Sequence, residues 1–294
     1  METPFEHRYD LARVRAFWAL IKFRQTALLL VTGVCSYALS RGLPIDFLEG
    51  LWMAAALFLS IRGCTALNMV LDRDIDAVMG RTLGRPLPAG VLDPDEAQVF
   101  GMTLSLLGLV LAFGLDVGFG LAVTAGFVID LLLYTAWLKR LTPLSILVGG
   151  ISGGTPVLAG RVLALGYVDP TALLLSASVV LWIPSHILTL ASSRVREYQQ
   201  AGVPTWPGAY GHRATQLFVA GSNLLNTVAL TTAALVLRVH SVALALLLTA
   251  SLAMCILSTI QLATPTARRN QLIFKAASLY MLCCCLLLTV GSLA

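Results

Sequence analysis

This 294-residue sequence predicts an all-α, polytopic membrane protein, nine transmembrane helices bundled around a central cavity, and three observations carry that prediction. The chain is 57% hydrophobic and 12% charged with a mean hydropathy of +0.84, far more apolar than a soluble globular domain. Its apolar residues fall into nine runs, each close to the ~20 residues a helix needs to cross a hydrocarbon core. Its lysines and arginines gather on alternate connections between those runs, as the positive-inside rule requires.

The runs lie at 17–39, 47–71, 97–115, 118–138, 143–164, 170–192, 215–237, 240–262 and 271–293. The first sixteen residues are polar and charged, without the layout of a cleavable signal, so the first run reads as a true span. Residues 1–16 are expected to form a cytoplasmic arm on a single integral-membrane domain, 1–294. Arg8, Arg13, Arg15, Lys22 and Arg24 precede or open span 1, and Arg62 lies in the inner half of span 2. Arg73, Arg81 and Arg85 follow span 2; Lys139 and Arg140 follow span 4; Arg194, Arg196 and Arg213 follow span 6; Arg268, Arg269 and Lys275 follow span 8. Only Arg41, Arg161 and Arg238 fall on the other side, a split of seventeen to three. The N-terminus is therefore expected in the cytoplasm and the C-terminus outside, in the cell membrane. In span 5, Gly149, Gly150, Gly153, Gly154 and Gly160 permit close helix approach. Pro156 and Pro184 bend spans 5 and 6, which suits a bundle around a cavity.

The same charges explain the net +5. No basic tract with interleaved aromatics stands outside the loops, so the expected surroundings are a lipid bilayer and no nucleic acid. The six cysteines form no C-x-x-C pair and read as small apolar fillers.

The densest chemistry is Asn68 to Gly90, NMVLDRDIDAVMGRTLGRPLPAG. On a helix Asn68, Asp72 and Asp76 recur at i, i+4 and i+8 on one face, and Asp74 points away. Such a face offers Mg²⁺ its preferred oxygen ligands, in a shell usually shared with a substrate phosphate. Arg81 and Arg85 follow at i, i+4 spacing, with a guanidinium fork that fits phosphate oxygens. The stretch reads as a Mg²⁺–diphosphate cradle; a solvated loop of mutually paired charges is the alternative. Lys139 and Arg140 lie on the same side and are candidates for diphosphate binding, or else ordinary interface anchors.

A charged side chain at membrane depth costs about 2.5–3.5 kcal/mol on insertion scales, so each one asks for a role. Asp130 lies inside span 4 with Tyr134 one turn on, either simply hydrogen-bonded or lining the cavity. His186 shares a stripe of span 6 with Trp182, Thr189 and Ser193; it is a packing residue, a general base or an axial ligand to haem iron. His7, His212 and His240 sit at the membrane surface and need no special role.

At these residues the chain resembles the UbiA-type intramembrane prenyltransferases, and most closely their haem O synthase (protohaem IX farnesyltransferase) branch. The resemblance rests on Asn68-Met-x-x-Asp72-Arg-Asp-Ile-Asp76, Arg81-Thr, Arg85-Pro-Leu-Pro-Ala-Gly90 and Tyr134-Thr-x-x-Leu-Lys139-Arg140-x-Thr-Pro143. It extends through Gly149-Gly150 to Pro156, Trp182-x-Pro-x-His186, Arg194-x-Arg-Glu-Tyr198-x-x-Ala-Gly-Val-Pro204 and Phe274-Lys275-x-x-Ser278-Leu-Tyr280. It implies a nine-helix bundle with a lipid-open cavity. It also implies transfer of a farnesyl group from farnesyl diphosphate to a vinyl group of haem b, giving haem O for terminal oxidase biogenesis. Haem A synthase or oxidase assembly proteins are the implied partners. By position, Asn68, Asp72 and Asp76 would hold Mg²⁺, with Asp72, Asp76 and His186 catalytic. Arg81, Arg85, Lys139, Arg140, Arg194 and Arg196 would hold diphosphate, and Tyr134, Asp130, Trp182 and His186 would face the cavity or acceptor.

The sequence departs from the pattern at three places. Where many members carry a second aspartate pair after span 6, it has Arg194, Arg196 and Glu197. Phe23 stands where the branch has proline, and Ser185 replaces a proline before His186. Two rival readings therefore remain: a UbiA-type enzyme acting on an aromatic quinone precursor or other lipid acceptor, and a non-catalytic haem-handling membrane protein.

Overall fold

Within a hydrocarbon core every backbone polar group must be satisfied by the protein itself, which continuous apolar runs of about 20 residues achieve as helices. The computed structural model describes residues 4–294, with side chains described except those of residues 4–11 and 24–25. Expectations placed on the side chains of His7, Arg8 and Arg24 lie outside the described residues.

The helices are α1 (Pro4–Leu20), α2 (Phe23–Arg41), α3 (Phe47–Leu71), the short α4 (Arg73–Val78), α5 (Pro94–Leu115) and α6 (Val117–Arg140). There follow α7 (Ser145–Leu165), α8 (Pro170–Ser192), the short α9 (Val195–Gln200), α10 (Trp206–Val236), α11 (Ser241–Ala263) and α12 (Ala267–Leu293). Among the described residues eight of these are long and apolar enough to cross a membrane. The apolar part of α2, Thr26–Arg41, is shorter and completes the nine predicted spans.

Three local differences from the predicted runs have identifiable causes. The first run does not continue from 17: α1 stops at Leu20 and α2 starts at Phe23, because Lys22 takes a left-handed conformation at φ 40°, which no continuous helix accommodates. The seventh predicted span, α10, begins at Trp206 rather than 215 and turns at Gly211, where φ is 78°. In α6 the residues Ile129–Trp137 wind in wide π-type turns before a final tight turn at Leu138–Arg140. Such a segment inside an α-helix frequently marks a functional site.

Small residues set the helix spacing. A Cβ on Gly63 would come within 2.4 Å of the Ser105 backbone nitrogen, and one on Gly108 within 2.4 Å of that of Ser60, so α3 and α5 touch backbone to backbone. A Cβ on Gly160 would lie 2.2 Å from the Gly33 carbonyl oxygen, which holds α2 against α7. Close approach through small side chains is the usual basis of helix association in lipid. One apolar cluster (Tyr37, Met53, Leu57, Phe119 and Leu163 among its members) joins α2, α3, α6 and α7. A second, with Trp182, Leu230, Leu247 and Met281, joins α8, α10, α11 and α12. Between α2, α3, α6 and α7 is a cavity of about 90 Å³.

At the end of α7 away from residues 68–90, Arg161 donates from Nε and Nη2 to the two oxygens of Asp169, both at 2.7 Å, and from Nη1 to Ser40 Oγ at 2.9 Å. Asp169 in turn caps α8 by accepting from the Ala172 N–H at 2.8 Å. The Arg161 hydrogen bonds hold the Asp169 carboxyl down at about 2. Because the folded chain keeps Asp169 ionised more readily than the unfolded chain, the stabilisation is complete above the ordinary aspartate pKa near 4. It is lost as pH falls towards about 2. Asp169→Asn should cost about 3 kcal/mol by leaving Arg161 unpaired, and should flatten the fall in melting temperature below about pH 4. Thermal unfolding of the detergent-solubilised protein checks both.

Candidate active site

The site begins where α3 leaves the apolar bundle. Asp72 ends the helix at φ −91°, ψ 2°, and α4 starts at once. Across the break the Asp72 N–H still bonds the Asn68 carbonyl at 2.9 Å, and the Asp76 N–H bonds the Asp72 carbonyl at 2.8 Å. The i, i+4, i+8 relation therefore survives. Asp72 and Asp76 are buried while Asp74 is exposed, as one face of a helix dictates.

Each carboxylate meets a cation from elsewhere in the chain. Lys139 Nζ donates to Asp72 Oδ2 at 2.5 Å, and Arg85 Nη1 to Asp76 Oδ2 at 2.5 Å. Arg85 arrives because residues 79–92 fold back: Thr82 Oγ1 donates to the Asp76 carbonyl at 2.9 Å, and Met79, Leu87 and Leu92 are buried beneath the loop. Lys139 arrives at the end of the wide turns of α6, 5.9 Å from the centre of the Tyr134 ring. Arg140, next along, grips the exposed Asp74 with both terminal nitrogens at 2.6 and 2.7 Å and caps the Leu71 carbonyl at 2.8 Å. These Arg140 hydrogen bonds hold Asp74 down at about 2.

Deeper in, Asn68 Nδ2 donates to Asp130 Oδ2 at 2.7 Å, and Cys64 Sγ donates to the same oxygen at 3.3 Å. Ser152 Oγ reaches Asp130 Oδ1 at 3.3 Å. Asp130, Cys64 and Ser152 line the cavity, whose remaining wall is mostly apolar, with Leu29, Leu57, Val123 and Phe127 among its residues. A charged mouth thus leads through Asn68 and Asp130 into an apolar interior, the layout that a ligand with an anionic head and a hydrocarbon tail requires.

Two buried oxygens at the mouth have no hydrogen-bond partner: Asn68 Oδ1 and Asp72 Oδ1. Unpartnered buried acceptors are uncommon and ask for a ligand. An amide and two carboxylates form a hard oxygen set that fits Mg²⁺, with substrate and water completing the shell. Among the described residues no group of three or more His, Cys, Asp or Glu forms an all-protein metal cage.

One cation of this site was not singled out as a site residue in the sequence. Lys22, at the α1–α2 junction outside the spans, is driven down to about 8 chiefly by burial; Arg85 and Lys139 push the same way, and Asp72 and Asp76 oppose them. It therefore lies within electrostatic reach of the whole cradle. Its sequence signal was only a basic residue before a span; the left-handed backbone that turns it inward is not legible from residue type. Cys64 reads as filler, and Ser152 carries no signal of its own, until α3, α6 and α7 are packed together.

The other predicted site residues fall outside this cluster. Arg81 is exposed and has no ion pair among the described residues. Arg194 pairs with Glu197 on α9 at 2.7 Å, and Arg196 is exposed. The α9 segment nevertheless covers the mouth: Tyr198, Ala201 and Val203 pack on Ile75 and Met79. His186 is not brought to the cradle. It is stacked between Trp182 and Phe274, with ring centres 5.3 and 4.7 Å away, and its Nδ1 lies 3.3 Å from Ser278 Oγ on α12. Trp182 donates from Nε1 to the Ala277 carbonyl at 2.7 Å, so both rings serve the α8–α12 seam.

The helical bundle that carries this site is an architecture already seen in solved structures. The chain matches a digeranylgeranylglyceryl phosphate synthase with a TM-score of 0.78 at 20% identity, over 96% of this chain and 99% of that one. It matches a UbiA homologue from Archaeoglobus fulgidus, bound to GPP and Mg²⁺, with a TM-score of 0.69 at 14% identity, over 93% and 99%. The chain belongs to the UbiA prenyltransferase family, which matches residues 29–282. Similar curated proteins include the protoheme IX farnesyltransferase of Korarchaeum cryptofilum, 41% identical over 206 residues, 70% of this chain and 69% of that protein. Its counterpart from Archaeoglobus fulgidus is 42% identical over 201 residues, 68% and 70%.

Lys22→Gln should weaken binding of Mg²⁺–pyrophosphate about tenfold, or ~1.4 kcal/mol, without lowering the melting temperature. Titration calorimetry on the purified protein measures this, and an unchanged Kd would remove Lys22 from the site.

Proposed function

We propose that this protein transfers a farnesyl group from farnesyl diphosphate to a vinyl group of haem b, producing haem O for terminal oxidase biogenesis. The observation that carries the prenyl-transfer part is the pairing of Lys139 with Asp72 and Arg85 with Asp76 beside two unpartnered buried oxygens, above an apolar cavity. The haem acceptor is supported by the roughly 40% identity to proteins named protoheme IX farnesyltransferase. The prenyl donor and the Mg²⁺ requirement are supported by the GPP and Mg²⁺ of the Archaeoglobus fulgidus UbiA homologue.

Three cations, Lys22, Lys139 and Arg85, face two carboxylates, Asp72 and Asp76, so the cradle carries one positive charge in excess. A metal–diphosphate head with net negative charge complements it. Asn68, Asp72 and Asp76 would hold Mg²⁺, which when bound supplies Lewis-acid neutralisation of the diphosphate. With the ion held there, Asp72 and Asp76 would serve it, and Lys139, Arg85 and Lys22 would be the cations available to diphosphate oxygens.

Breaking the allylic C1–O bond sends its electron pair out with the diphosphate and leaves a carbocation on the prenyl chain. Each fixed cation about 4 Å from the developing charge contributes on the order of 4 kcal/mol at an effective dielectric of 20, before screening and ground-state binding are discounted. The vinyl π electrons then form the new C–C bond, and water adds a hydroxyl at the resulting cation as its proton leaves. Asp130, held by Asn68, Cys64 and Ser152, is the group in our reading that receives that proton. The apolar wall keeps other water away until the acceptor has reacted.

The cradle then faces the cytoplasm, with the N-terminus on that side of the cell membrane and the C-terminus outside. Haem A synthase or oxidase assembly proteins are the natural recipients of the product.

Purified protein given haem b, farnesyl diphosphate and Mg²⁺ should yield haem O by mass spectrometry. Asp72→Asn and Asp76→Asn should each lower the rate at least about 100-fold while the proteins stay folded. Full activity in either variant would refute the metal–diphosphate assignment. Prenylated hydroxybenzoate or naphthoate in place of haem O would refute the haem acceptor and leave the donor site standing.

A further inference from the structure

Arg62 is not used by the reaction described above. It lies in α3 at 2% exposure and makes no ion pair among the described residues. Its Cζ sits 4.6 Å from the centre of the Phe23 ring and 4.0 Å from that of Phe58, so the guanidinium is sandwiched between two aromatic faces. Nη1 makes a long hydrogen bond of 3.4 Å to the Ile21 carbonyl, and Nε is buried with no partner. A guanidinium has five N–H donors and never loses its charge in a protein. Most of its capacity is unspent here, where an uncompensated charge is expensive.

This cation forms part of the wall of a groove of about 450 Å³ between α1, α3 and α5. The other walls are apolar, with Phe17 and Trp18 on α1, Phe58 on α3, and Phe100 and Leu104 on α5. Trp18 is 60% exposed on the rim, so the groove opens outward, at the level where α2 begins. It shares no lining residue with the reaction cavity. A lone fixed cation within apolar walls complements an anion that carries its own hydrocarbon, and the bilayer is the abundant source of such molecules at this depth.

We propose that the groove is a binding site for an anionic phospholipid, with its phosphate on Arg62 and an acyl chain lying along Phe58, Phe100 and Leu104. The bound lipid supplies the counter-ion that Arg62 lacks among the described residues. It also braces the α1–α2 junction, because Phe23, which covers the guanidinium, adjoins Lys22.

The test is native mass spectrometry of the full-length protein, stripped of endogenous lipid in detergent and then given phosphatidylglycerol or phosphatidylcholine. One phosphatidylglycerol should stay bound at collision energies that remove phosphatidylcholine. Arg62→Gln should reduce that retention at least tenfold. Leu104→Trp, which fills the groove from α5 and leaves Arg62 in place, should do the same and covers the case in which Arg62→Gln does not fold. Equal retention of the two lipids, or retention of phosphatidylglycerol undiminished in Leu104→Trp, would overturn the proposal. So would displacement of the lipid by haem b, whose two carboxylates would then be the anions the groove accepts.

Discussion

The structure depends on how it neutralises charge at the edge of a hydrocarbon core. Asp72 and Asp76 are buried, and a buried carboxylate is tolerable only with a partner. Neither partner is a sequence neighbour on the same helix: Lys139 comes from the end of α6, and Arg85 from a loop that doubles back. Much of the local architecture is what it takes to deliver those two cations. Lys139 follows the wide turns of α6, and Arg85 lies in the loop that Thr82 ties back to the Asp76 carbonyl.

The same ion pairs show why the site is poised and not merely stable. Each carboxylate uses one oxygen for its cation, and Asp72 Oδ1 and Asn68 Oδ1 are left buried without a bond. An arrangement selected only for stability would satisfy those atoms or remove them, since an unmet buried polar group costs about 1–3 kcal/mol. Arg161 and Asp169 supply the contrast within the same molecule. There both carboxylate oxygens, a guanidinium, a hydroxyl and a helix cap close on one another, and no side-chain nitrogen or oxygen of Arg161 or Asp169 is left buried without a partner.

Much of the site could be read from residue spacing because it lies on one helix face: Asn68, Asp72 and Asp76 are tied by a period that the helix imposes. Lys139 was legible through its side of the membrane, and Asp130 through the cost of a carboxyl at that depth. Arg140 joins them by the same sidedness, Arg81 by its spacing from Arg85, and Arg194 by the family resemblance. Sidedness says only which surface a cation occupies, and in the fold Arg140 staples Asp74 while Arg194 turns to its own helix. His186 stood out as a lone intramembrane histidine, but its stacking with Trp182 and Phe274 places it in a helix seam.

By itself the sequence determined the class of fold, the spans and the acid-bearing helix face, because these follow from hydropathy, charge asymmetry and the 3.6-residue period acting within one segment. Only the tertiary structure decided which cations meet the carboxylates, that Lys22 joins them, and that Arg62 faces an apolar groove instead. Those outcomes depend on a left-handed residue, on wide helical turns and on glycine contacts that set helices side by side. Each is a relation between distant segments, on which local periodicity has no hold.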